Sequence, residues 1–290
     1  MEELSAALAV CPLPQPDSKR AEPLLPAPVA KVEGVLWRDA AVTPMLDAIA
    51  EEVPVALSYN GVSHAVMMAT PADLEDFALG FSLSEGIVEH AGEVRDIEQE
   101  ETGAGTVLHV TISARRFAAL KDRRRNLTGR TGCGLCGVDS LEHAIRPVPA
   151  RSLGGGTTID AIGRALRELP GLQQLNRVTR SLHAAAWADA GGGIALLRED
   201  IGRHNALDKL IGAMARAGVD TARGFGVVTS RSSYEMVQKA AAAGMPVLVA
   251  ISAPTALAIR VAREAGVTLV ALARADGARV YSHPQRIAAQ

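Results

Sequence analysis

The sequence predicts an α/β protein in which a smaller N-terminal α+β domain precedes a C-terminal domain built on a mostly parallel sheet. Three observations carry this. Two β-rich runs, residues 53–59 and 62–69, flank Asn60-Gly61, a dipeptide that accepts the positive φ angles of a tight hairpin turn. Short apolar, β-branched runs recur at 226–230, 247–252 and 267–273, with helical patterns at 233–243 and 254–265 between them. A Gly- and Arg-rich stretch with the one close pair of cysteines, Cys133 and Cys136, separates the two rhythms.

Taken in order, residues 1–34 hold six of the fifteen prolines, which lock φ and remove donors, so a disordered Pro-rich tail is expected, with order beginning near Val35. After the hairpin, Thr70-Pro71-Ala72-Asp73 offers an N-cap, a proline at the first helical position and an acid at the third. Leu74, Phe77, Ala78 and Phe81 follow at helical spacing, so a helix is predicted over 71–84, packed on the hairpin. Residues 107–113 alternate as a strand that closes this small domain. Gly154-Gly155-Gly156 marks a boundary near 150. Beyond it, residues 193–197 and an amphipathic helix through Leu207, Leu210, Ile211 and Met214 extend the strand–helix–strand alternation, which implies right-handed crossovers. The predicted parts are a tail at 1–34, an α+β domain at 35–120, a basic linker with a mobile CxxC loop at 121–151 and the C-terminal domain at 152–290.

Composition narrows the function classes. Apolar residues make up 48% and charged residues 21%, enough to bury a core without metal or disulfide support. With 30 Lys+Arg against 32 Asp+Glu, a globally basic nucleic-acid binder is not expected. Three sparse cysteines (Cys11, Cys133, Cys136) point to a reducing cytoplasm instead of a secreted disulfide framework. The acidic start and the lack of an apolar run of about 18 residues argue against a signal peptide and a membrane span.

In such sheets ligands bind beyond the carboxyl ends of the strands, where helix N-termini present free amides. Those ends carry Ser230-Arg231-Ser232-Ser233, with Glu235 placed to complete a capping box on Ser232, then Ser252-Ala253-Pro254-Thr255, then Arg274-Ala275-Asp276-Gly277. The segment from Arg198 to Asn205, and His183, are candidates for the same edge. Hydroxyls, arginines and helix amides on one rim suit a phosphorylated ligand, while the plainer reading has the hydroxyls capping helices and the arginines solvated. Neither a dinucleotide-binding glycine motif nor a P-loop is present.

The sharpest signal is Thr131-Gly132-Cys133-Gly134-Leu135-Cys136-Gly137. Glycines leave the backbone free to move, and upstream Lys121, Arg123, Arg124, Arg125 and Arg130 favour thiolate over thiol. Such a thiolate could attack sulfur, bind metal or form a disulfide. Tetrahedral zinc needs four ligands, and His143 is the one nearby addition to the pair. A thioredoxin-type dithiol normally opens a helix beside a βαβ unit, unlike this linker position.

Together the segments Leu57-Ser58-Tyr59-Asn60-Gly61, residues 67–85, Cys133-Gly134-Leu135-Cys136-Gly137, residues 198–209 and Ser233-Tyr234-Glu235-Met236 resemble the FdhD family, over about residues 50 to 287. The resemblance implies a sulfur carrier required for formate dehydrogenase activity. It implies that a cysteine desulfurase loads a persulfide, and that the sulfur passes to the molybdenum cofactor, a bis-molybdopterin guanine dinucleotide, before insertion into formate dehydrogenase. By this mapping Cys133 is the persulfide carrier of a sulfurtransferase-like reaction and Cys136 its assistant or second carrier. The C-terminal domain would be cytidine deaminase-like and would bind the guanine nucleotide, with GDP as partial mimic, at Leu272, Ala273, Arg274, Ala275, Asp276 and Gly277. A homodimer is the family expectation.

Some residues depart from the family pattern. Arg180-Ser181-Leu182 precedes His183-Ala184-Ala185 where a glycine pair is usual, and Thr229-Ser230-Arg231 stands for Ser-Gly-Arg. Segment 272–277 also lacks the usual aromatic and second arginine, which bears on individual nucleotide contacts. A zinc deaminase is excluded separately, because His183 is followed by alanines where that chemistry needs an acid. The alternative from another class is a zinc- or redox-regulated nucleotide-binding module.

Overall fold

The computed structural model describes residues 27–39, 41–125 and 154–289. Strand begins at Val29, ahead of the start expected at Val35: β1 (Val29–Arg38) and β2 (Ala41–Ala50) form an antiparallel ribbon. The prolines do not prevent it. Pro28 precedes the first strand residue, and Pro44, opposite Val35, lies in a ribbon made only of edge strands, where proline is tolerated.

The hairpin at Asn60-Gly61 forms as predicted, with φ of 46° and 79° at the two turn residues. It joins β3 (Val53–Tyr59) to β4 (Val62–Ala69). Two further strands, β5 (Val94–Thr102) and β6 (Gly105–Ile112), complete a four-stranded sheet in the order β4-β3-β6-β5, with β3 and β6 parallel. One face packs on α1 (Leu74–Ser84) and α2 (Ala114–Arg125) through Leu74, Phe77, Phe81 and Leu120. The helix starts at Leu74, not at 71, because Thr70 does not cap it. Thr70 is turned toward the other half of the chain, and Asp73 occupies the N-cap with φ 54°.

The second half is a six-stranded sheet. Its strands are β8 (His183–Asp189), β9 (Ile194–Asp200), β10 (Gly224–Val228), β11 (Val247–Ala250), β12 (Thr268–Arg274) and β13 (Gly277–Val280), in the order β13-β12-β11-β10-β8-β9. It is mixed, which corrects the mostly parallel expectation. β10, β11 and β12 are parallel, as the twenty-residue rhythm implied, but β8–β9 and β12–β13 are antiparallel pairs joined by short turns. Helix α3 (Ile159–Leu172) covers one face, capped by Thr158 and followed by the short α4 (Gln174–Thr179). Helices α5 (Arg203–Arg216), α6 (Tyr234–Ala242) and α7 (Ala256–Ala265) cover the other. A small parallel pair, β7 (Thr157–Thr158) with β14 (Ile287–Ala288), ties the end of the domain to its beginning.

The two halves meet along α1 and α5, whose backbones touch at glycines. A Cβ placed on Gly80 would sit 1.7 Å from the Asp208 carbonyl oxygen, and one on Gly212 would sit 1.9 Å from that of Asp76.

Candidate functional site

Strand direction decides which residues share an edge. The parallel strands β10, β11 and β12 all end on one side of the sheet. Because β8 runs against β10 and β9 against β8, the start of β8 and the end of β9 lie on that same side. His183, Asp200 and the first turn of α5 therefore join the loops at 229–233 and 251–255 and the turn after Arg274, as the sequence suggested. Thr229 makes the join: its Oγ1 accepts from Ala184 N at 2.9 Å, and its own N–H donates to Ala184 O.

Two helices open here. α5 begins after Gly202, which has no side chain to cap it, and no acid occupies its first turn. α6 begins after Ser233, whose hydroxyl makes no cap bond, so the capping box predicted for Ser232 and Glu235 does not form. Glu235 reaches across to α5 instead and stands 2.9 Å from His204 Nε2. The His204 contact holds its carboxyl below the usual glutamate range despite partial burial. The Nε of Arg203 and the hydroxyls of Ser232 and Ser233 are buried and have no hydrogen-bond partner among the described residues. Half-buried His183 is kept below the ordinary histidine value by desolvation and by the neighbouring Arg203 charge, both of which favour the neutral imidazole. The rim thus offers two uncapped helix starts, an imidazole and unsatisfied donors, a set suited to an anionic oxygen-rich ligand. Thr255, by contrast, follows the plain capping reading and accepts from Ala258 N at 3.1 Å.

Leu272, Ala273, Arg274, Ala275, Asp276 and Gly277 form the end of β12 and its turn into β13. Ala273 is buried in the core, Leu272 is half-buried, and Arg274, Ala275 and Asp276 are exposed. Leu272 has φ 51°, a costly conformation for a branched side chain, beside a register shift in the β12–β13 ladder. The Arg274 guanidinium reaches back over the sheet end, donating to Ile251 O at 2.6 Å and Ala273 O at 2.8 Å, which fixes its position at the rim. Cys133 and Cys136, with the linker expected at 121–151 from residue 126 onward and His143, lie outside the described residues. Among the described residues no group of three His, Cys, Asp or Glu could hold a metal ion, and no helix is long and apolar enough to cross a membrane.

A buried polar network, not anticipated from sequence, fixes this rim to the N-terminal half. Lys209 is fully buried, 2.7 Å from Asp200 and donating to the Thr70 carbonyl at 2.9 Å. Asp200 also accepts from the backbone of Thr70 and Gly202 and from Asn205 Nδ2. Next to Lys209 in the chain, Asp208 accepts through both carboxylate oxygens at 2.9 Å from Lys239 of α6, which also donates to Ser84 and Glu85 at 3.0 Å. Burial opposes its charge, but the Asp208 and Glu85 carboxylates outweigh that and hold it above the usual lysine value. Arg198 clamps Asp76 through Nε and Nη2 at 2.9 and 2.7 Å. The available clue was charge inside an apolar stripe: Asp208 and Lys209 interrupt Leu207, Leu210 and Ile211.

A two-part α/β protein with two uncapped helix starts opening on one rim of a mixed sheet is the class that this geometry defines. A model of the FdhD/NarQ family matches residues 50–288, and the chain belongs to that family. The sulfur carrier protein FdhD of Cupriavidus necator is 56% identical over 252 residues, 87% of each chain. The protein of that name from Xanthomonas euvesicatoria is 57% identical over 241 residues, 83% of this chain and 86% of the relative. The crystal structure of a putative formate dehydrogenase accessory protein from Desulfotalea psychrophila superposes with a TM-score of 0.70 at 24% identity, covering 90% of this chain and 99% of that one, and so shares the fold.

Proposed function

We propose that the protein is a cytoplasmic sulfur carrier that takes sulfane sulfur from a cysteine desulfurase on Cys133 and delivers it to a molybdenum cofactor destined for formate dehydrogenase. The observation that carries the reading is identity above 50%, across more than four-fifths of the chain, to relatives named sulfur carrier protein FdhD, in a sequence whose one close cysteine pair is flanked by cations. In loading, the Cys133 thiolate attacks the outer sulfur of the donor persulfide. A new S–S bond forms on Cys133, the donor's S–S bond breaks, and the donor leaves as thiolate with no net oxidation. In delivery, the Cys136 thiolate attacks Cys133 Sγ and expels the outer sulfur at the sulfide level, leaving a Cys133–Cys136 disulfide that a cellular thiol reductant reopens. Cations upstream lower the thiol pKa and so raise the attacking fraction.

The rim supplies the acceptor's seat in this reading. Its unsatisfied Arg203, Ser232 and Ser233 groups and the α5 start are the donors for the diphosphate of a bis-molybdopterin guanine dinucleotide, or of GDP in its place. Residues 272–277 would border the guanine end on a cytidine deaminase-like domain, and the carrier would work as a homodimer. Producing Cys133→Ala in cells that lack the native protein tests the assignment. Loss of formate dehydrogenase activity, with the variant folded and abundant, is expected; undiminished activity would end the proposal.

A further inference from the structure

Two histidines stand on the rim, and their surroundings differ. His204, in the first turn of α5, has a carboxylate in place: Glu235 of α6 lies 2.9 Å from its Nε2. His183, the first residue of β8, has none. Its ring is half-buried, and no described residue hydrogen-bonds to it or forms an ion pair with it.

The charged groups around His183 come from each element packed beside it. α5 contributes Arg203 and His204, and both oppose a further positive charge. β9 contributes Asp200, opposite His183 in the register, which favours the imidazolium but is already engaged by fully buried Lys209 at 2.7 Å. The end of α4 contributes Arg180, which turns away to Asp47. The loop after β10 contributes the Thr229 hydroxyl, which accepts from Ala184 N, and then exposed Arg231. The rim's own residues thus leave it short of negative charge. Arg203 Nε and the fully buried Ser232 hydroxyl have no hydrogen-bond partner among the described residues, and α5 and α6 both start uncapped. Arg203 and the helix starts attract an anion, and the same positive field keeps a proton off His183. A negatively charged ligand reverses that field.

We infer that His183 is a ligand-binding residue of the rim and that it engages the anion as imidazolium, so that seating a diphosphate takes up a proton from solution and its departure returns one. This role rests on the rim being the diphosphate seat of the proposed function, and it makes that seat pH-dependent. His204 differs because its counter-charge is built in. The sign follows from the two states of His183. Without ligand the imidazole is held below the ordinary histidine value, and a bound diphosphate raises it. The added affinity is complete below the ligand-free value and is lost as pH rises through the raised one, at up to about tenfold per pH unit for one proton.

Calorimetry with GDP on the full chain tests this. Titrations in buffers of different ionisation enthalpy count the protons taken up, and titrations between about pH 6 and 8 give the slope of affinity. The terminal phosphate of GDP itself titrates at about 6, so the readout is the difference between the unmodified chain and His183→Gln, in which the ligand's share cancels. The unmodified chain should take up more protons than the variant, the excess approaching one, and should show the steeper fall in affinity as pH rises. NMR of ring-labelled histidines in the unmodified chain reads the same event without a variant: GDP should move the titration midpoint of the His183 signal upward. Equal proton counts and slopes in the two proteins, or a His183 midpoint unmoved by bound GDP, would overturn the role of His183 while leaving the rim as the seat. No GDP binding at any pH would remove the seat, and the role of His183 with it. Sulfur loading of Cys133 does not pass through His183, so the carrier assignment is judged separately on the same samples.

Discussion

Replacing Gly80 with alanine tests whether the two halves are held by direct backbone contact between α1 and α5. In a helix interior this change normally stabilises by about 1 kcal/mol, because glycine loses the most backbone entropy on folding. Here the added Cβ would lie 1.7 Å from Asp208 O and 2.6 Å from Asp208 C, rigid backbone that cannot rotate away. A carbon–oxygen contact needs roughly 3.4 Å on the usual van der Waals scale, so the helices must part by more than an ångström. Overpacking of that kind costs about 1–3 kcal/mol, and separation also strains Lys239 to Ser84 and Glu85 and Arg198 to Asp76, which bridge the same interface. The net expectation is a loss of about 2–4 kcal/mol by urea unfolding, or roughly 4–16 °C in Tm for a chain of this size. Gly212→Ala should match it, since its Cβ would meet Asp76 O at 1.9 Å. Gly171→Ala in α3 is the control: nothing lies within 4 Å, so it should be neutral or slightly stabilising. Gly80→Ala within about 0.5 kcal/mol of the parent, the scatter of ordinary surface changes, would refute the close crossing.

Two further outcomes follow from the polar interior. Lys209→Met should cost about 3–5 kcal/mol by leaving Asp200 charged and buried, and adding Asp200→Asn should recover part of it; a cost under about 1 kcal/mol would show that the pair does not bind the halves. Glu93 is held down to about 2, chiefly by the Glu89 backbone amide and then by Arg116 and Arg115. A depressed carboxyl contributes stability that is complete above the unfolded value of about 4.3 and is lost as pH falls toward about 2, so Glu93→Gln should flatten the urea midpoint across that window. Equal acid slopes for both proteins would contradict the Glu93–Arg116 bridge.

What could be read from the residues was whatever local chemistry decides. Asn60-Gly61 demands positive φ and forms its turn; the spacing of 226–273 forces parallel strands; the strand ends assemble on one edge as topology requires. Misreadings arose where a distant partner outbid a local one. Thr70 satisfies a helix-cap pattern but is taken by Ile201 N and Asp200, and Glu235 fits a capping box but pairs with His204. The ribbon was overlooked because proline counts argue against sheet only where a donor is needed, and an edge ribbon needs few. The antiparallel β8, β9 and β13 turned a parallel sheet into a mixed one because the short turns at 190–193 and 275–276 leave no crossover signature in the spacing.

The carrier assignment is tested most directly by intact-protein and peptide mass spectrometry after incubation with a cysteine desulfurase and free cysteine. One added sulfur atom on the peptide holding Cys133, removed by cyanide and absent from Cys133→Ala, is the expected result. No added sulfur, or sulfur retained at another residue when Cys133 is replaced, would contradict it.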